Sequence, residues 1–139
     1  MEVVKTTGSV KPGERRFRIL LVEDDLEMRE AIREVLQMSG FIVHTAADGD
    51  EAALLALADA FDVLLSDIRL PGQSGIALAR SLKGRAHPPK IILITAYPEW
   101  KVYEEATVAG AAAVISKPLD LFKLAGVVQE VARSGNPAA

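Results

Sequence analysis

A doubly wound α/β fold, five parallel strands alternating with five helices, follows from three observations on this chain of 139 residues. Short apolar runs recur along it, segments with a helical apolar period separate them, and turn-forming Gly, Pro, Asp or Ser residues punctuate the junctions. Parallel strands joined by right-handed helical crossovers take helices on both faces of one sheet, and the length suits a single domain.

The elements read in order. Residues 1–16 hold Thr6, Thr7, Gly8, Ser9, Pro12 and Gly13 without an apolar period, and are expected to be a flexible leader. The folded domain is placed at 17–133. Arg18 to Val22 contains the continuous apolar run Ile19-Leu-Leu-Val22 that a strand buried on both faces needs. Asp25 is a helix cap, and the helix of about Leu26 to Ser39 places Met28, Ile32, Val35 and Leu36 on one face. Gly40 suits the left-handed residue that ends it. Phe41 to Ala46 is the second strand, Asp48 and Gly49 turn the chain, and Asp50 opens a helix to about Ala58. Val63 to Ser66 is the third strand, running into Asp67, and a Pro71, Gly72, Ser74, Gly75 loop precedes a helix of about Ile76 to Lys83. Pro88 and Pro89 enforce an extended entry to the fourth strand, Lys90 to Ile94. A helix of about Trp100 to Ala109 ends at Gly110, Ala112 to Ser116 is the fifth strand, and Pro118 stops it. The last helix, Leu121 to Ala132, turns Leu124, Val127, Val128 and Val131 inward, and residues 134–139 are expected to be a disordered tail.

Composition narrows the function. Half the residues are apolar and a quarter charged, so neither a disordered chain nor a fibrous repeat fits. Absence of cysteine removes thiol nucleophiles and thiolate metal sites. No apolar run approaches the roughly 20 residues that span a bilayer, and the leader lacks a secretory core, so a cytoplasmic protein without membrane contact is expected. The net charge is −3, distributed unevenly: residues 1–18 carry five basic and two acidic groups, and the remainder eleven and seventeen. An acidic body repels a phosphate backbone, and nucleic-acid binding by the domain is not expected.

Open parallel sheets bind ligands beyond the carboxyl ends of their strands. Glu23, Asp24 and Asp25 follow the first strand, Asp67 ends the third, Thr95 follows the fourth and Lys117 the fifth. Singly, each has an ordinary reading: a solvated first turn, a turn former, a strand end, a Lys-Pro stop. Together the carboxylates repel by roughly 1 to 4 kcal/mol at surface-cleft dielectrics, which calls for a cation. Oxygen ligands of high charge on a shallow rim suit Mg2+, which leaves positions for phosphate oxygens. Lys117 can pair with Asp67 or with an anion beside it. His44, on a strand, and His87, in a loop, are read as structural or solvated.

These residues resemble a response-regulator receiver domain of two-component signalling, a flavodoxin-like fold of strand order 2-1-3-4-5. The matching pieces are Ile19-Leu-Leu-Val-Glu-Asp-Asp25, Asp62-Val-Leu-Leu-Ser-Asp67-Ile-Arg-Leu-Pro71-Gly72, Ile91-Ile-Leu-Ile-Thr95-Ala96-Tyr97 and Ile115-Ser-Lys117-Pro118, covering about Phe17 to Arg133. The resemblance implies that Asp67 is the phosphoacceptor, that Glu23, Asp24, Asp67 and the backbone carbonyl of Arg69 hold Mg2+, and that Thr95 and the Ala96 amide contact the phosphoryl oxygens. Lys117 would pair with the acyl phosphate, and the Lys117–Pro118 bond is usually cis in such domains. The implied donor is a phosphohistidine on a sensor histidine kinase or a histidine phosphotransfer protein. The downstream effector protein is left open. Chemistry is limited to the domain's own phosphorylation and slow dephosphorylation, so it is not a turnover enzyme. Arg69 and Tyr97 overhang the site and are expected to modulate the lifetime of the phosphoryl group.

Two positions depart from the family pattern. Val114 stands where an aromatic residue usually couples to the threonine, so that readout is not implied. Gly110-Ala-Ala-Ala-Val114 lacks the acidic residues of receivers that dimerise through their last two helices. The six residues after Arg133 hold no output domain, which leaves a stand-alone receiver or one excised from a longer protein. An alternative is a metal-dependent phosphohydrolase of aspartyl-phosphate type, but the second acid those enzymes carry two residues after the nucleophile is Arg69 here. A flavin module of the same topology would want a Ser, Thr or Gly-rich phosphate loop where Glu23 to Asp25 stand.

Overall fold

The computed structural model describes residues 15–134. In chain order the elements are β1 (Arg18–Val22), α1 (Leu26–Met38), β2 (Ile42–Ala46), α2 (Gly49–Ala58), β3 (Val63–Asp67), α3 (Gly75–Lys83), β4 (Lys90–Thr95), α4 (Trp100–Val108), β5 (Ala111–Ser116) and α5 (Leu121–Arg133). The strands form one parallel sheet, as the sequence predicts, in the order β2-β1-β3-β4-β5 that the resemblance implies. Sheet growth reverses between β1 and β3, and the carboxyl ends of those two strands border the crevice.

Alternate residues of each strand feed two cores. Ile19, Leu21, Val63, Leu65, Ile92 and Ile94 pack with Ile32 and Leu36 of α1 and Leu124 and Val128 of α5. On the other face Leu20, Val22, Leu64, Ile91 and Leu93 meet Ala52 and Ala56 of α2, Leu78 and Leu82 of α3, and Ala106 of α4. Full burial of each such aliphatic chain is worth about 1.5–3 kcal/mol, and this two-sided burial is what fixes the register of the strand ends.

Side-chain caps set four helix starts. Asp25, Asp48, Ser74 and Asp120 accept from the backbone N–H groups of Met28, Glu51, Ala77 and Phe122 respectively, each contact stabilising by about 1 kcal/mol. Gly40 and Gly110, at φ 97° and 99°, supply the left-handed residues after α1 and α4.

Two starts differ from the sequence reading. Asp48 caps α2, and Gly49, expected as a turn residue, is the first residue of that helix. A Cβ on Gly49 would lie 2.0 Å from the carbonyl oxygen of Gln73, so the glycine admits the β3–α3 loop against the helix. Helix α3 begins at Gly75, where a Cβ would lie 2.3 Å from the Asp67 carbonyl oxygen. Gly49 thus brings the loop after Asp67 against α2, and Gly75 brings its far end against the end of β3.

The expected leader and tail fall on residues 1–14 and 135–139, outside the described residues, apart from Arg15, Arg16 and Ser134. Arg15 pairs with Asp62 and lies over the Phe17 ring, so the folded contacts begin before Phe17. His44 is half-buried, edge-on to Phe61 with ring centroids 5.4 Å apart and 3.1 Å from an Arg18 guanidinium nitrogen, a structural setting as expected.

Candidate functional site

Glu23 leaves β1 with its backbone N–H bonded to the Ala46 carbonyl, 3.1 Å, which carries its side chain under the rim. It is 1% exposed. One carboxylate oxygen, Oε2, accepts from the Asp25 N–H at 3.1 Å; the other, Oε1, has no hydrogen-bond partner. Burial pushes its carboxyl pKa above the ordinary glutamate value, and the Asp25 N–H only partly offsets this. Of the acidic triplet, Asp25 caps α1 and Asp24 is exposed, so the solvated-turn reading fails for Glu23 alone. Arg29, which the sequence reading passed over, donates to the Glu23 carbonyl at 2.8 Å and fixes the turn. Its position one helical turn beyond the acidic triplet was the available signal.

Asp67 ends β3 and is buried, with 6% of its surface exposed. Lys117 reaches it from the end of β5: Nζ donates to Asp67 Oδ2 at 2.7 Å and stands 3.6 Å from Glu23 Oε1. Burial opposes the ammonium charge, but the Asp67 hydrogen bond and the two carboxylates outweigh it and hold the lysine pKa above its usual value. The Lys117 N–H also bonds to the Thr95 carbonyl at 2.8 Å, and the Lys117–Pro118 bond is cis, as the resemblance implies. Asp67 Oδ1 carries no hydrogen bond among the described residues.

Glu23, Asp24 and Asp67 each offer one carboxylate oxygen, all within 4.8 Å of one another, a cluster able to hold a metal ion. Beside it lies a cavity of about 260 Å3 bordered by Asp24, Asp67, Arg69, Thr95, Ala96, Tyr97 and Lys117. Every predicted site residue is therefore on one rim. Thr95 Oγ1 accepts from the Tyr97 N–H at 2.9 Å, and the Arg69 guanidinium carbon stands 4.4 Å from the centre of the Tyr97 ring. A larger cavity, about 380 Å3, opens at the opposite end of the strands beside Leu20, Phe61, Arg85 and Pro89. Its acid, Asp59, is forked to Arg18, and it gathers no group of carboxylates; the chemistry is at the rim.

Residues 19–129 match the family described as the response regulator receiver domain, and the chain belongs to that family, a signalling module of two-component systems. It is 37% identical over 103 residues to a cyclic di-GMP phosphodiesterase of Thermotoga maritima, covering 74% of this chain and 27% of that protein. It is 32% identical over 122 residues to the transcriptional regulatory protein FixJ of Bradyrhizobium diazoefficiens, covering 87% of this chain and 59% of that protein. Among solved structures, the chemotaxis response regulator CheY4 of Vibrio cholerae superposes with a TM-score of 0.79 at 28% identity, over 84% of this chain and 99% of that one. A CheY-like receiver domain protein of Methanospirillum hungatei gives 0.79 at 29%, over 85% and 94%. The chain spans 27% and 59% of the length of those two curated relatives. No helix among the described residues is long and apolar enough to cross a membrane.

Proposed function

We propose that the chain is a phosphoacceptor in which Asp67 takes a phosphoryl group from a phosphohistidine on a sensor histidine kinase or histidine phosphotransfer protein, and that the modification changes which effector protein it binds. The observation that carries this reading is the asymmetry of the Asp67 carboxylate: Asp67 lines the cavity, and Lys117 neutralises Oδ2 while Oδ1 carries no hydrogen bond among the described residues. A carboxylate whose charge is partly neutralised and whose second oxygen is uncommitted is a positioned nucleophile.

The donor set fits Mg2+: three hard carboxylate oxygens within 4.8 Å, from Glu23, Asp24 and Asp67, and Glu23 holds a buried Oε1 without a hydrogen bond. Glu23, Asp24, Asp67 and the backbone carbonyl of Arg69 would hold the ion. When bound, it supplies positive charge against the phosphoryl oxygens.

The chain's own residues do the rest. Asp67 Oδ1 forms the O–P bond as the donor's N–P bond breaks, and the imidazole nitrogen keeps the electron pair. Lys117 stays on the second carboxylate oxygen and balances the charge that builds beside Glu23. The Thr95 hydroxyl and Ala96 amide, on the same cavity, contact the phosphoryl oxygens. The domain, residues 17–133, catalyses only its own phosphorylation and slow dephosphorylation, in the cytoplasm, with an acidic body that engages neither nucleic acid nor membrane.

The test is incubation with acetyl phosphate and Mg2+, followed by intact-mass measurement and peptide mapping. A single base-labile phosphate on Asp67 is expected. An Asp67→Asn chain that still gains such a phosphate overturns the assignment.

A further inference from the structure

Two cations border the phosphoacceptor cavity, and they are held very differently. Lys117 is committed to Asp67 Oδ2 and faces Glu23. Arg69 touches only a ring: its guanidinium carbon lies 4.4 Å from the Tyr97 centroid, and among the described residues no carboxylate pairs with it. Tyr97 is itself 48% exposed, so the stack is a weak, solvent-screened hold on a full positive charge. An unpaired guanidinium beside a carboxylate cluster, turned onto an aromatic face, is a charge in reserve.

The charge balance of the rim says what it is in reserve for. Three carboxylates against one ammonium leave two negative charges, which one divalent cation balances. Phosphorylation of Asp67 exchanges its single charge for the roughly double charge of a phosphoryl group. The site then carries surplus negative charge next to Arg69, a residue that lines the same cavity. The planar fork of arginine matches phosphate oxygens, a contact stronger than the stack it replaces.

We propose that Arg69 is a second phosphoryl-binding cation, which rests on the Tyr97 ring while the site is empty and moves onto the phosphoryl oxygens as the group is delivered to Asp67, staying on them once the O–P bond has formed. The inference rests on the phosphoacceptor reading and adds a positioning residue to it. It also gives Tyr97 a part: the ring loses its cation when Asp67 is modified. Trp100, the only tryptophan and 76% exposed, opens α4 three residues on and reports the change.

The experiment uses the full chain, Mg2+ and acetyl phosphate as donor; the carboxylate oxygen of Asp67 forms the new O–P bond and acetate leaves with the electron pair. Wild type, Arg69→Ala, Arg69→Lys and Tyr97→Leu are compared by the rate and donor dependence of the mass increment, by Trp100 fluorescence, and by Mg2+ affinity from calorimetry. Arg69→Ala is expected to need about tenfold more donor for half-maximal rate, the scale of one charge-assisted contact. Arg69→Lys recovers part of the loss, Tyr97→Leu is phosphorylated at least as well as wild type, and Mg2+ affinity does not fall in any of them. Equal donor dependence in wild type and Arg69→Ala overturns the proposal, as does Arg69→Lys no better than alanine or Tyr97→Leu as poor as Arg69→Ala. A wild-type chain that gains no phosphate at all overturns the phosphoacceptor reading itself, and that outcome is distinct because no variant is needed to see it.

Discussion

The Lys117 ammonium, from the residue that follows β5, spans β4 to reach Asp67 at the end of β3, a 2.7 Å contact between residues 50 positions apart. It holds a buried carboxylate ready for chemistry and also holds the rim together. Removing the lysine leaves Asp67 and Glu23 facing each other without their cation. We expect Lys117→Ala to lose about 1–3 kcal/mol of stability in chelator, part of it restored by Mg2+, and to take up phosphate from acetyl phosphate far more slowly than wild type. Thermal melts with and without Mg2+ check the first claim; an unchanged midpoint in chelator contradicts it.

Glu23 makes the opposite trade. Its carboxylate is buried and its Oε1 has no hydrogen bond, only the Lys117 ammonium at 3.6 Å, an arrangement that costs stability and suits a further cation. Glu23→Gln is therefore expected to melt a few degrees higher than wild type in chelator, and to lose most of the upward shift that Mg2+ gives wild type. Asp24→Ala, changing an exposed ligand, is expected to weaken Mg2+ at least tenfold by calorimetry with little effect on the metal-free melt. Equal Mg2+ affinity in wild type and Asp24→Ala moves the metal elsewhere.

How much of this was legible depended on the range of the interaction. Strand ends follow from apolar runs two-sidedly buried, so the places of Glu23, Asp67, Thr95 and Lys117 on one rim could be read directly. The caps at Asp25 and the left-handed Gly40 and Gly110 are local chemistry and were equally readable. Gly49 was not: a glycine after an aspartate reads as a turn, and only the 2.0 Å approach of the Gln73 carbonyl, 24 residues on, explains its place inside α2. The burial of Glu23 beside exposed Asp24 was invisible for the same reason, as was the Arg69–Tyr97 stack, since both depend on how loops from different strands meet. Arg18 forked onto Asp59 beside His44 and Phe61 belongs to this class too.

That fork gives a pH prediction. The hydrogen bonds from Arg18 hold the Asp59 carboxyl down to about 2. A carboxyl with a depressed folded-state pKa contributes stability above its unfolded value, and the contribution is lost as pH falls through the folded value. The window thus runs from the ordinary aspartate value of 3.8 down to about 2. Asp59→Asn is expected to flatten the fall of melting temperature across that window while leaving the neutral-pH midpoint close to wild type, because an exposed ion pair contributes little there. A slope identical to wild type below pH 4 would show that Asp59 is not among the carboxyls that drive acid unfolding.

The lifetime of the modified state is expected to depend on two large side chains that border the cavity, Arg69 and Tyr97. Arg69 stands two residues after Asp67 and Tyr97 two after Thr95; both border the cavity, stacked at 4.4 Å before Asp67 is modified, and both are large enough to crowd a phosphoryl group on Asp67. Hydrolysis needs a water in line with the O–P bond, and a ring or guanidinium in that approach displaces it or orders it badly. An added barrier of only 1.4 kcal/mol lengthens the lifetime about tenfold. Slow self-dephosphorylation is therefore expected, suited to a relay or a sustained signal more than to a rapid response. Arg69→Asn removes the guanidinium beside the phosphoryl group, and Tyr97→Glu replaces the ring with a carboxylate that can orient water. Both are expected to shorten the phosphoryl lifetime, followed by loss of the mass increment after the donor is removed. If neither substitution speeds the decay, the two side chains do not shield the bond.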